Sequence, residues 1–563
     1  MNTRKLTLSV MAAVCANVAV AQHTTPNTWT ALIGPAQGWP NERSGRAIHM
    51  VHVPPVNPAM GNRGTILFWG RSNDPGDPVR PKTWVPPTYL ESAYGTFGVT
   101  NNQLDYEAFC CGQTLMADGK VVITGSNFKP GEYPLYPGKE VATYSLATNT
   151  WTKSGLAYEL NRKRYYPSTI RMPDGKILTL GGQATQQPPG SPIQVEFVDR
   201  PFEINPNTVS VSATNWQMPV EEDWDFLNYP FAFPVSATEV FFAGPSRNNG
   251  QGGEENYRTF YFDTGASDIG PVNFGGFSET WHGSVAMYRP GLILKTGGVS
   301  HITGGYANVP ATNQAEAIDV SSLSSSDVGW TFVTPMNHAR IDHNTVILAD
   351  GRVMVVGGTL YHNEVARTNE ANWVQSGEIW NPTTNIWTMT ANFNTSGGGQ
   401  VPDPKVFRGY HSAAVLMPDA RVLLAGGDVG FNFPPGVGNE TQVPSGHFYL
   451  PDYGTGTRPK ITAGPDIVRV GSSGNSITVD DSGVTKVALV GLGAVTHSYD
   501  MNQRYMTFNT SGAGTTKTFN GPVSSTQAPY GWYMLFALKP GPNGSMLPCE
   551  MAKYVQVLPP EGN

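Results

Sequence analysis

A tandem Tyr410-His411 and a set of redox-capable side chains are the residues of this 563-residue chain best suited to chemistry. They share one place in a recurring pattern. Cys110 lies nine residues before Gly119, Tyr166 nine before Gly175 and Asp342 nine before Gly351, and each glycine opens a short apolar run. Trp281 lies ten before Gly291, and Tyr410 ten before Ala420. Phenolate and imidazole donors without a cluster of thiolates or carboxylates suit Cu(II) in tetragonal geometry. Neighbouring strand residues point to opposite faces, so Tyr410 and His411 can hold one ion only where a strand ends or bulges. On these residues alone, a packed piece of core is the plainer reading of the pair.

A repeat must position these residues. The pattern of a turn, a short apolar strand and one or two glycines appears at 64–70, 119–125, 174–182, 238–244, 291–298, 350–358 and 419–427. Several copies precede a tryptophan strand, as in Asn149-Thr-Trp151 and Asn385-Ile-Trp387. A period of roughly 50–70 residues, with glycines closing an apolar strand, is the signature of a kelch propeller. The expected fold is all-β, a seven-bladed kelch-type β-propeller over 22–457. Equivalent positions on its innermost strands face one axis, so a cysteine, two tyrosines, a tryptophan and an aspartate are predicted to share a small volume. The repeat stops after Tyr453-Gly-Thr-Gly-Thr-Arg-Pro459, and short alternating strands such as Ile477-Thr-Val479 predict an immunoglobulin-like sandwich over 458–563.

Composition agrees with that reading. Charged residues make up 14% of the chain, against roughly 25% in soluble domains, while Gly 63 and Pro 46 supply turns. Hydrophobic content of 39%, evenly spread, excludes disorder for most of the chain. A formal charge of −7 without basic runs excludes nucleic acid and an anionic membrane surface as main partners. Arg4 and Lys5, the apolar run from Leu6 to Ala16, and Ala19-Val20-Ala21 read as a signal peptide over 1–21. Cleavage there predicts a secreted protein, extracellular or periplasmic, that keeps Cys110, Cys111 and Cys549.

Four segments, in order, resemble the copper radical oxidases, the galactose oxidase and glyoxal oxidase family. They are Phe109-Cys110-Cys111-Gly112, Arg164-Tyr-Tyr-Pro-Ser168, Tyr410-His411-Ser412 and Val495-Thr496-His497-Ser498. The resemblance implies a thioether-linked Cys110–Tyr166 cofactor able to hold a tyrosyl radical. It implies Cu(2+) bound by Tyr166, Tyr410, His411 and His497, with Tyr410 as proton acceptor. His497 would reach the axis on a loop of the second domain. Arg340 and Asp342 would contact substrate, although a surface cation and a blade-closing hydrogen bond are equally good readings of them. The implied activity is oxidation of a primary alcohol or small aldehyde with reduction of O2 to H2O2, by a chain acting as a monomer.

Departures and alternatives stay open at this point. No tryptophan follows Gly181-Gly182 to cover the thioether, as one does in galactose oxidase; Trp281 could substitute, with packing filler the plainer reading. A Cys111–Cys549 disulfide and two inert thiols are both compatible with the sequence. A non-catalytic kelch propeller that binds glycan or protein is the main alternative. A sialidase-type propeller is weaker, because Ser325-Ser-Asp-Val-Gly-Trp330 is a single imperfect Asp-box. Substrate choice within alcohols, aldehydes and galactose-type sugars is left to loops such as 397–404 and 431–445.

Overall fold

All seven apolar runs of the repeat form the second strand of an antiparallel sheet. The computed structural model describes residues 26–561 except 31, 57–62, 72–78, 89–90, 92–93, 127–137, 154–158, 161–162, 183–195, 200–209, 213–227, 248–258, 264–282, 300–308, 322–328, 362–368, 394–405, 428–443 and 455. The signal peptide, Trp281, the segment after Gly182 and most of the two entrance loops lie outside the described residues. The innermost strands are His49–Val53, Gly112–Leu115, Ser168–Arg171, Asn228–Pro234, Ser284–Arg289, Asn344–Ile347 and Ser412–Leu416. The first four touch one another in chain order, as do the last three, and Ser412–Leu416 touches His49–Val53. The seventh sheet takes its outer strand from the start of the chain, with Thr28 opposite Leu450 and Trp29 opposite Tyr449. These sheets fit the propeller expected from the repeat.

The local chemistry of the repeat explains its geometry. Asp118, Asp174, Asp350 and Asp419 each accept the backbone N–H two residues on, which closes the turn between first and second strands. The residue after each aspartate is left-handed: Gly119, Gly175, Gly351, and Ala420 at φ 67° in the seventh sheet. The glycine closing the second strand answers a different need. A Cβ on Gly357 would stand 2.0 Å from the Arg408 carbonyl of the next sheet, so only glycine lets the sheets approach there.

A buried arginine braces three of these junctions. Arg164, Arg340 and Arg408 donate to the carbonyls of Gly181, Gly357 and Gly426 respectively. Arg340 also donates to the Ser376 carbonyl at 2.8 Å and to Glu378 Oε1 at 2.8 Å, with both side chains 0% exposed. Glu378 collects the N–H groups of Asn337 and His338 as well. Arg340, expected against substrate, is thus placed inside the framework, because its guanidinium is engaged by the Gly357 and Ser376 carbonyls and the Glu378 carboxylate.

The second domain has a three-stranded sheet (Ile461–Ala463, Asn475–Val479, Thr516–Phe519) and a larger one built on Gly531–Pro540, Lys486–Gly491 and Lys553–Leu558. Between Lys486–Gly491 and Tyr505–Asn509 it sends out a hairpin, Ala494–Thr496 and Tyr499–Asp500. Ala494–Thr496 adds to the inner edge of the first sheet, with His49 opposite Thr496 and Val51 opposite Ala494. The hairpin also touches the inner strands of the second, fifth, sixth and seventh sheets, so it lies inside the ring. Cys549 sits in this domain, and Cys111 and Cys549 are both buried free thiols. Burial raises both thiols, Cys549 to about 11, so the inert-thiol reading holds.

The Arg340 brace is testable. Replacing Arg340 with Leu strands the Glu378 carboxylate in the core, which is expected to cost roughly 3–5 kcal/mol. The thermal midpoint should fall, the Arg340→Leu/Glu378→Gln pair should regain part of the loss, and KM of the protein that remains folded should not change.

Candidate active site

Four innermost strands follow closely on a non-glycine residue with left-handed backbone, and a fifth, Asn228–Pro234, carries one as its second residue. Cys110 (φ 58°), Tyr166 (62°), Tyr229 (51°), Asp342 (57°) and His411 (65°) take this conformation. For a side chain of that size the left-handed well costs about 1–2 kcal/mol. Its use five times over marks a functional constraint rather than a packing accident. All five lie nine residues before the turn position of their repeat. In the seventh sheet that residue is His411, and Tyr410 is the additional one, which corrects the equivalence drawn from sequence. Tyr410 and His411 belong to a tight turn, closed by Ser412 N–H to the Gly409 carbonyl at 2.9 Å, before the strand begins. The strand therefore starts after the pair rather than bulging within it.

The remaining imidazole arrives on the hairpin. Thr496 pairs with Tyr499, leaving His497 and Ser498 as a two-residue turn with φ 48° and 69°. Positive φ at both positions is the type I′ pattern, which normally selects Asn-Gly. Histidine here gives up backbone comfort for placement. Thr496 Oγ1 lies 2.7 Å from His497 Nδ1, Ser284 Oγ donates to the Ser498 carbonyl at 2.6 Å, and the Tyr499 hydroxyl donates to the Ala232 carbonyl at 2.5 Å. The tip is thereby tied to the fourth and fifth sheets.

These residues meet. The Tyr166 and Tyr410 hydroxyls are 3.3 Å apart, and Cys110 Sγ lies 3.8 Å from His497 Nε2. The His411 and His497 rings stand nearly perpendicular at 4.6 Å between centroids. Tyr166 and Tyr410 also meet the His497 ring edge to face, at 5.0 and 5.5 Å. The Tyr166 N–H donates to the Cys110 carbonyl at 2.9 Å, which holds the two proposed cofactor residues side by side. Tyr166 and Tyr410 retain 6% and 7% exposure, while Cys110 has none.

Several supporting residues carry no motif. Cys110 N–H donates to His49 Nε2 at 3.0 Å, His49 Nδ1 reaches Gln113 Oε1 at 2.6 Å, and Gln113 Nε2 donates to the Val495 carbonyl at 2.9 Å. Burial holds His49 near 3, so its imidazole is neutral and that direction of donation is fixed. His49 stacks on Trp69 at 4.9 Å. Asp342 takes the ring position of the sixth sheet, next to the His411 sheet, and is buried. The adjacent His343 is turned into the framework, its Nε2 2.9 Å from Thr296 Oγ1.

Two phenols and two imidazoles in one small volume are a donor set for a borderline metal, and Cu(II) suits it. Among the described residues no group of three His, Cys, Asp or Glu offers another metal site. The molecule is thus an all-β propeller whose axis carries a phenol–imidazole centre completed by a second domain. A family model described as "Galactose oxidase-like, Early set domain" matches residues 458–547. Over 88% of its length the chain is 25% identical to a galactose oxidase of Gibberella zeae, covering 68% of that protein. It is 22% identical over 91% of its length to an aldehyde oxidase of Arabidopsis thaliana, covering 85% of it. A solved fungal alcohol oxidase of the AA5 family, in complex with copper, superposes with TM-score 0.69 at 21% identity, covering 94% of this chain and 99% of the other. The chain is thus similar along most of its length to galactose oxidases and aldehyde oxidases, and it carries a match to a galactose oxidase-like domain over residues 458–547.

The hairpin that delivers His497 carries a pH signature. Asp500 Oδ1 accepts the N–H groups of Ala494 and Asn502, yet burial lifts its carboxyl from 3.8 to about 6. The folded value lies above the unfolded one, so its stabilising contribution is complete below about 3.8 and is lost as pH rises through about 6. The wild-type thermal midpoint should fall between about pH 5 and pH 7.5 by more than that of Asp500→Asn; parallel profiles would reject this assignment.

Proposed function

We propose that this protein is a secreted copper radical oxidase that converts a primary alcohol or small aldehyde to the next oxidation level and reduces O2 to H2O2. The observation that carries the reading is the approach of the Tyr166 and Tyr410 hydroxyls to 3.3 Å beside the imidazole of His497. A non-catalytic binding scaffold has no use for four such donors turned inward, three of them at a cost in backbone strain.

Tyr166, Tyr410, His411 and His497 would hold the copper ion. When bound, copper supplies one of the two one-electron stores the reaction needs and a position for substrate oxygen. Cys110 and Tyr166 would supply the other store. Joining Cys110 Sγ to the Tyr166 ring replaces an S–H and a C–H with one C–S bond, and the two electrons and two protons released pass to dioxygen. The sulfur substituent spreads the unpaired electron of the oxidised ring, which lowers its potential. Substrate oxidation then removes two electrons and two protons. Tyr410 takes the hydroxyl proton, and the oxidised Tyr166 ring takes a hydrogen atom from the substrate carbon. Removal of the signal peptide after Ala21 would deliver the mature chain outside the cytoplasm.

Copper-loaded, oxidised protein should release H2O2 with at least one member of a panel of primary alcohols, galactose-type sugars and small aldehydes. Tyr410→Phe should lower kcat by about 10²–10⁴-fold, as expected for loss of a general base. Intact mass should fall short of the sequence mass by two hydrogens, and Cys110→Ser should restore them. A panel without any peroxide, from protein that binds copper, would remove the oxidase reading.

A further inference from the structure

We propose that Tyr229 is a positioning residue of this centre, fixing the plane of the His497 imidazole and the edge of the Tyr166 ring; the inference rests on the copper reading above. Tyr229 has no match among the four family-like segments, but it occupies the fourth-sheet counterpart of Cys110, Tyr166, Asp342 and His411. Its ring lies along His497, with centroids 4.6 Å apart and planes 30° apart. Its other neighbour is Tyr166, met edge-on at 5.1 Å and 75°. The Tyr229 N–H donates to the Tyr166 carbonyl at 2.7 Å, continuing the line in which Tyr166 donates to Cys110. Finally, the Tyr229 hydroxyl donates to the Cys111 carbonyl at 3.1 Å. One side chain thus contacts a ligating ring, the redox ring and the backbone next to the sulfur.

Simple filling of the core does not require this arrangement. A bulky residue at φ 51° is held against its own preference, and because any side chain would meet the same cost through its Cβ, backbone relief does not account for an aromatic ring here. Tyr229 is completely buried, so it touches no substrate and acts through its neighbours. Thr496 fixes His497 at Nδ1 and Tyr229 supports the face of the ring, which together leave Nε2 as the atom presented to the axis. Groups that orient a metal ligand in this way set metal affinity as strongly as a weak ligand does.

The test uses the full chain and Cu(II) itself. Tyr229→Phe keeps the stacked face and loses the tether to Cys111; Tyr229→Leu loses the face. Competition with a chelator should show Tyr229→Leu binding Cu(II) about tenfold or more weakly, while Tyr229→Phe stays within about threefold of wild type. The Cu(II) EPR hyperfine pattern should change in Tyr229→Leu alone, and its Cys110–Tyr166 cross-link should form more slowly by intact mass. Tyr229→Met carries the same comparison if the Leu variant does not fold. Affinity, EPR pattern and cross-linking rate all equal to wild type in a folded ring-less variant would overturn the proposal, even with a lowered thermal midpoint. His497→Ala separates the two levels: if it binds Cu(II) as wild type does, the metal reading itself has failed, whereas a normal His497 response beside a silent Tyr229→Leu defeats only the role of Tyr229.

Discussion

One imidazole has to be carried from a separate domain to the centre of a ring of sheets, and the geometry of the site follows from that requirement. The carrier is a hairpin whose strand Ala494–Thr496 continues the first sheet through backbone pairing with His49–Val51. Backbone pairing fixes register to a single residue, since a slip of one would turn the hairpin's side chains to the opposite face. The turn must then be the shortest available, because any longer loop would leave the histidine free to wander. A two-residue turn with left-handed backbone at both positions meets the need. Its strain is held by contacts outside the turn, from Thr496, Ser284 and Tyr499.

The propeller half solves the complementary problem. Five of the sheets deliver a side chain to the axis through the same backbone device, a left-handed residue at or just before the start of the inner strand. The device is uniform and the side chains are not, so the ring behaves as a rigid socket in which chemistry is varied by substitution alone. Rigidity comes from buried arginines that tie the lead-in of an inner strand to a glycine carbonyl of the same sheet, and from glycines that admit a carbonyl of the neighbouring sheet. His49 and Gln113 join the two halves, since the same chain of hydrogen bonds that holds the Cys110 backbone ends on Val495 of the hairpin.

Much of this was legible in the sequence because a repeat converts spacing into position. The apolar runs gave the second strands, and counting back from their turns found Cys110, Tyr166 and Asp342. Tyr229 carries no such signal because the fourth repeat opens with Thr238, where four of the others have glycine or alanine after an aspartate. Tyr410 was aligned in place of His411 because an insertion of one residue leaves no trace in composition. His49 and Gln113 carry no motif at all; their roles exist only once the hairpin has docked. Arg340 shows the reverse error. A buried brace and a rim contact look identical as letters, and the matching placements of Arg164 and Arg408 ahead of their own ring positions were the available clue.

On the proposed copper assignment the donor set is divided between two domains, so metal binding and domain docking would be thermodynamically one process. The propeller alone offers Tyr166, Tyr410 and His411, and the fourth donor appears only when the hairpin lies in the axis. Any ligand that needs all four therefore favours the docked form by its difference in affinity for the complete and incomplete sites. The same linkage runs backwards: residues that seat the hairpin, far from any donor atom, contribute to metal affinity. His52 illustrates this, with its Nε2 2.6 Å from the Tyr554 hydroxyl of the second domain. A contact of that kind lies between the first propeller sheet and strand Lys553–Leu558, and on the proposed copper reading it would help to seat the part of the chain that carries the hairpin.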